Sequence, residues 1–308
     1  MKRIIYLITA LLATTNMAST QVTANSRWYN SDEMLTCESE SNKGYMFNWD
    51  WWGEEDSQCF LTKTSENHFS VDGYNDDFNN YIKAIKDVEY KVVEGHKLLL
   101  FKDAKGNILK CFEQSNSKWE KEAIKGYHYV LDGTYVDETG VQYAFNGEYL
   151  TMGGNKYKFS IDLEMYFIIQ INDAKYWWKV STTGINLYNV IQGEYGPEQG
   201  EVWHKLREIS PNGRWTFLSN AIVPSTFMWR YPSGMVRIIR NEIYARHGYV
   251  FNSADLKNYF SKQPWYKPQN NNAAVKLNDI EALNAEILKA NETVVREGSD
   301  DEEIEEGL

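Results

Sequence analysis

Asn146-Gly147 stands between two short alternating segments, Val141-Gln142-Tyr143-Ala144-Phe145 and Glu148-Tyr149-Leu150. Both residues of the pair tolerate positive φ, so they close a two-residue turn whose twist matches that of paired strands. The rest of residues 126–210 follows the same style. Segments 156–162, 166–172, 175–180, 185–190 and 201–207 are rich in Tyr, Trp, Ile and Val, with short turn-like gaps between them. Gaps this short cannot hold the crossover that a parallel pair needs. The spacing therefore predicts an antiparallel meander of about seven strands, closed or nearly closed into a small barrel.

Residues 25–125 read as a second β-rich region. Gly44 to Trp52 alternates apolar and polar over its second half, which is the strand period. Further strands are expected at 58–62, 88–93, 97–101 and 107–113, split by Glu94-Gly95-His96 and Asp103-Ala104-Lys105-Gly106. A helix is expected at 76–85. The two regions share a rhythm. Tyr90 to Cys111 and Phe167 to Tyr188 each run strand, turn, strand, Gly turn, strand. Hairpin spacing alone carries that likeness, so duplication stays open.

From Ser210 the style changes. Pro211-Asn212-Gly213 and Tyr231-Pro232-Ser233-Gly234 punctuate a linker, and helical periodicity follows. Ser233 is the expected N-cap. Met235, Val236, Ile239 and Ile243 share one face, and Gly248 sits where a left-handed C-cap residue is wanted. Arg246 and His247 fall roughly 50° either side of the apolar centre, so they flank the buried face. Glu242 and Arg246 are spaced i,i+4 in the favourable order. Ser253 is the expected cap of a second helix that Pro264 ends. Asn278 with Glu281 forms a capping-box variant that opens a third. Asn284 and Asn291 fall inside the apolar stripe of that helix, where an amide needs partners. They are expected to bond Arg246, His247 or nearby backbone and so fix how the third helix docks on the first.

Arg240-Asn241-Glu242-Ile243-Tyr244-Ala245-Arg246-His247-Gly248, with Phe251, Tyr259-Phe260, Pro264-Trp265-Tyr266, Leu277, Glu281, Asn284 and Glu292, resembles the YARHG domain across about residues 235–292. This is a small module of bacterial envelope proteins and lipoproteins. The resemblance implies an extracellular or envelope setting and a small fold, and no particular reaction. The helix that usually leads into the motif is replaced here by 215–231, which has no clear period. By strand count and hairpin spacing, the 126–210 meander looks lipocalin-like.

The N-terminus reads as a secretory signal over residues 1–24. Lys2 and Arg3 precede an apolar run at 4–13, and small residues offer cleavage after Ala18 or Ala24. The run is too short to span a bilayer, which takes roughly 20 residues. No transmembrane segment is expected once the signal is removed. With no Cys before Cys37, the lipoprotein route looks closed. Removing the signal takes two bases and no acid, so net charge falls from −11 to −13. An acidic chain repels phosphates, which argues against nucleic-acid partners. Seven acids and no base lie within 297–308, the composition of a solvated, disordered tail. Of the three cysteines, Cys37 and Cys59 are the expected disulfide in an exported chain.

No catalytic constellation, metal-ligand spacing or cofactor motif stands out. The five His residues are scattered, and acidic runs such as Glu54-Glu55-Asp56 and Asp76-Asp77 read as solvated loops. Trp49, Trp51, Trp52, Trp177 and Trp178 are the candidate ligand surface, since strand neighbours face opposite ways and only one of each adjacent pair can be core. Arg240, Asn241, Glu242, Tyr244, Arg246, His247, Gly248 and Asn284 read as structural. The expected class is α+β. A signal (1–24) precedes one or two small antiparallel domains (25–125 and 126–210), a helical domain (211–296) and the tail (297–308). The expected function is an exported, non-enzymatic envelope role, periplasmic, cell-surface or secreted, that is either structural or the binding of a glycan, peptide or partner protein. The alternative is a hydrolase of cell-wall or host glycans.

Overall fold

Alternation along the first half becomes eight antiparallel strands: β1 (Arg27–Asn30), β2 (Glu33–Ser41), β3 (Gly44–Trp51), β4 (Ser57–Lys63), β5 (His68–Gly73), β6 (Asp87–Val93), β7 (His96–Lys102) and β8 (Ile108–Gln114). Each strand pairs with the next, and β8 returns to β1 through Trp28 opposite Gln114, closing a barrel. The computed structural model describes residues 22–31, 33–51, 57–74, 76–162, 168–181, 183–194, 196–228, 230–231 and 233–292, with the side chains of 51, 76, 77 and 233 left out. The expected signal up to residue 21, Trp52, Glu54-Glu55-Asp56 and the acidic residues 297–308 thus lie outside the described residues.

Eight strands enclose just enough space for side chains to fill. Trp28, Leu35, Phe47, Trp49, Leu61, Phe69, Leu99, Phe101 and Phe112 fill this one. Val22 is buried in the same core. The short helix α1 (Asp76–Ile82) lays Phe78 against Trp49, ring centroids 5.3 Å apart. Closure brings in β1, β2 and β5, none of which was expected as a strand, and α1 stops three residues short of the predicted helix.

The expected disulfide does not form: Cys37, Cys59 and Cys111 are all free and buried. Register explains why. Cys37 and Cys59 both pair with Phe47, one from each side, so a whole strand stands between them. Two inter-strand spacings are about 10 Å, beyond the reach of about 7 Å that a disulfide can bridge. Burial pushes the Cys37 thiol up to about 11 and the Cys59 thiol up to about 12. Burial raises Cys111 too. All three remain protonated and unreactive at neutral pH.

The second barrel has eight strands rather than seven: β9 (Gly133–Val136), β10 (Gln142–Asn146), β11 (Tyr149–Met152), β12 (Asn155–Ile161), β13 (Ile168–Ile171), β14 (Ala174–Ser181), β15 (Gly184–Gly193) and β16 (Gly196–Glu208). The ladder runs in chain order and closes with Arg207 opposite Val136. The Asn146-Gly147 turn sits as expected between β10 and β11, with Asn146 opposite Tyr149. Both barrels share one meander order. The segments that suggested duplication nevertheless occupy the sixth to eighth places of one barrel and the fifth to seventh of the other, one strand out of step.

Between the barrels lies α2 (Trp119–Leu131). No helix is expected here from the sequence, yet Ala123, Tyr127, Val130 and Leu131 form a buried helical stripe. Its Gly126 is required by close approach. A Cβ there would meet Thr226 Oγ1 at 2.0 Å and the Phe227 nitrogen at 2.5 Å. Those residues belong to α3 (Ser225–Met228), which follows a 3-10 turn at Thr216–Ser219. Then come α4 (Ser233–Arg246), α5 (Ala254–Ser261) and α6 (Asp279–Asn291). Ser233 is therefore the first residue of its helix. The class is α+β.

One continuous core joins three parts: the interior of the second barrel, the helices, and an outer patch of the first barrel made by Val93, Leu98, Leu100, Ile108 and Cys111. No described helix is long and apolar enough to cross a membrane.

Candidate functional site

Two polar clusters stand out among the described residues. The first is built on the motif at the end of α4. Its C-terminus is a Schellman arrangement: Tyr249 N bonds Tyr244 O (3.1 Å) and Gly248 N bonds Ala245 O (2.8 Å). Gly248 has φ +76°, and a Cβ there would press on Gln269 Cγ at 2.6 Å and Lys267 O at 2.7 Å. The chain turns back at this point and throws Arg246 and His247 towards α6.

Glu281, 3% exposed, is the hub. It accepts His247 Nε2 at 2.8 Å, Ser219 Oγ at 2.7 Å and, through the capping box, Asn278 N at 3.1 Å. Burial pushes its carboxyl up, but the bonds from Ser219, His247 and Asn278 outweigh it and hold the group below the usual Glu range. Arg246 donates to Trp215 O (2.8 Å) and Ser219 Oγ (3.0 Å) and lies 3.6 Å from Glu242 and 3.8 Å from Glu281. Glu242 is buried, so its pairing with Arg246 is no surface helix pair. It also accepts Arg214 N (3.2 Å) and Trp215 N (2.8 Å). Burial raises its carboxyl to about 7, against the pull of Arg246 and those two amides.

Asn284 is fully buried and bonds Leu218 O, Ala221 O and Val223 N at 2.8–2.9 Å. Of the expected partners of Asn284 it is backbone that the structure supplies, that of the 218–223 connection, while Arg246 and His247 converge on Glu281 instead. Asn291 bonds Ile287 O within its own helix (2.9 Å). Ser253 also departs from expectation. It occupies the N-cap position of α5 without a capping bond, and its hydroxyl receives Arg237 at 3.4 Å. Asn241 bonds Arg237 O (2.8 Å), Arg240 pairs with Glu292, and Tyr244 packs edge-on to Tyr249.

Arg214 extends this network to the second barrel. It is buried and donates to Gly184 O (2.8 Å) and Ser181 O (3.4 Å) at strand ends, with Trp215 and Tyr231 rings beside it. Trp215 Nε1 bonds Tyr231 Oη at 3.0 Å. The irregular 215–231 segment is therefore the piece that the motif clamps.

The second cluster is a cleft of about 120 Å³ between the first barrel and the helices. Asn30, Glu33, Leu109, Lys110 and Cys111 line one side; Val223, Ser225, Met228, Ile287 and Asn291 line the other. Ser225 Oγ ties the two sides by bonding Asn30 O at 2.9 Å. At the first-barrel side Glu33, 3% exposed, receives Lys110 Nζ at 2.7 and 2.9 Å and Tyr81 Oη at 2.5 Å. Lys110 Nζ also reaches Tyr81 Oη (2.7 Å) and lies 4.9 Å from that ring's centre. Sequence reasoning missed this group. The available signal was Lys110 two residues from the core residue Phe112, a charge on an inward face.

Of the candidate Trp surface, one of each described adjacent pair is core, as strand alternation requires. Trp49 and Trp178 fill the two barrel interiors, 1% and 2% exposed. Trp177 is half-buried on a different barrel from Trp51, whose side chain lies outside the description along with Trp52. No described group of three His, Cys, Asp or Glu residues is placed to hold a metal ion.

Residues 228–293 match the model of the YARHG domain family. No curated protein and no solved structure matches the chain.

Proposed function

We propose that this is an exported envelope protein that acts by binding rather than by catalysis, with a glycan, peptide or partner protein as ligand. The cleft between the first barrel and the helices carries the reading. It is the concavity where two folded parts meet, and such junctions are favoured ligand sites. Its carboxylate is held by a lysine, whereas glycoside hydrolysis needs two carboxyls free to trade a proton and stabilise charge. The motif supports the same reading. Glu242, Arg246, His247 and Glu281 bond one another and the backbone, the arrangement of a clamp. The YARHG match and the secretory signature support export. Of the two cleavage points, only that after Ala18 leaves the buried Val22 in the mature chain.

The test is incubation of the intact mature protein with isolated envelope and peptidoglycan. Binding predicts co-sedimentation with no soluble fragments. Release of reducing ends above a heat-inactivated control would favour the hydrolase reading.

A further inference from the structure

The cleft has an unusual donor and acceptor balance. Asn30, 9% exposed, points its amide nitrogen at Glu33 Oε2 (3.4 Å), and a carboxylate only accepts. Asn291 points its amide nitrogen at Ile287 O (2.9 Å), and a carbonyl only accepts. The orientation of both amides is therefore fixed by chemistry. In each one N–H is used in that bond, and what remains for a ligand is the second N–H and the side-chain oxygen, which accepts no hydrogen bond among the described residues. Glu33 offers little more. One oxygen receives Lys110 and Tyr81, the other Lys110 and Asn30. Its charge is matched by Lys110.

The cleft thus offers acceptors with neighbouring donors, the pairing that hydroxyl groups match, and supplies no net charge. An ion entering it would lose hydration without meeting a free counter-charge. The remaining wall is mostly apolar, with Leu109, Val223, Met228 and Ile287 beside Cys111, and with the Ser225 hydroxyl tied to Asn30 O. Hydroxyls on one edge and a C–H face on the other satisfy both demands, and 120 Å³ admits the end of a chain rather than its length. We infer that the cleft is a binding site for the terminal ring of a neutral sugar, with Asn30 and Asn291 accepting its hydroxyls. This rests on the binding reading above and deepens it.

The probes are N-acetylglucosamine, methyl glucoside, glucuronate and a blocked glutamine amide, titrated calorimetrically into the intact mature protein. The neutral sugars bind saturably and glucuronate binds at least tenfold more weakly. Asn291→Leu, which lies at the end of α6 and leaves the barrels untouched, weakens sugar binding roughly five- to tenfold, the equivalent of one lost hydrogen bond. Asn291→Gln, which keeps an acceptor, recovers most of it. Thermal melts confirm that both variants stay folded. Absence of sugar binding, or binding unchanged in Asn291→Leu, overturns the inference. Binding of the glutamine amide in place of sugars overturns it too, in favour of a peptide side chain. If sugars fail while the envelope fraction is still retained, the ligand class is wrong and the binding reading stands. If both fail, both fall.

Discussion

Asn284 shows what one side chain contributes when three backbone groups depend on it. Its amide nitrogen serves Leu218 O and Ala221 O, and its oxygen serves Val223 N. Replacing it with leucine, which has the same branched four-atom side-chain skeleton, opens no cavity but strands those groups in the core. Each stranded group costs about 1–3 kcal/mol. Asn284→Leu is expected to lose about 3 kcal/mol or more in urea denaturation, and unchanged stability would sink the clamp assignment. The need for partners at Asn284 was legible from an amide in an apolar stripe. The identity of the partners was not, because they lie more than 60 residues away in a segment without periodicity.

At the scale of elements, the junction of α2 with the β10–β11 hairpin titrates. Asp132 ends the helix and accepts Gly147 N at 2.7 Å. Burial raises its carboxyl to about 6, from an ordinary value of 3.8, against that hydrogen bond. A raised acid binds its proton more tightly when folded. Its contribution is therefore fully present below pH 3.8 and is lost as pH rises through about 6. The loss is on the order of 3 kcal/mol at most. Asp132→Asn keeps an acceptor for Gly147 and cannot ionise. The variant is expected to gain on the parent between pH 4 and pH 8 in denaturant titrations; an equal difference at both ends would refute the assignment. The hairpin itself was legible from Asn146-Gly147. The helix was not, because the β-favouring Tyr127, Tyr129 and Val130 mask its stripe, and the expected domain boundary at 125/126 cuts through it.

The molecule as a whole has two cores among its described residues. The interior of the first barrel is one; the second barrel and the helices share the other. Phe227 is fully buried in the shared core, 4.9 Å from Phe217 and 5.0 Å from Tyr231 between ring centroids. Phe227→Ala is expected to cost about 3–5 kcal/mol. Hydrogen exchange should show α4, α6 and β9–β16 losing protection together, with the inner strands of the first barrel affected least. Loss confined to the helices would show that they form a separate unit.

Local pattern by itself determined most strands of this chain, the Asn146-Gly147 turn, the helices of the motif with their Gly248 and Asn278 ends, and the inward lean of Arg246 and His247. Those features depend on periods of two or 3.6 residues and on turn chemistry, all contained within a few neighbours. Only the tertiary structure decided that both meanders close, that Phe47 separates Cys37 from Cys59, that Trp49 and Trp178 are interior, and that Glu281 collects the motif's charges. It alone decided that Asn30, Glu33 and Lys110 meet Asn291 across a cleft. Each of these depends on which distant strand or helix becomes the neighbour, and that choice is made when whole faces are buried together.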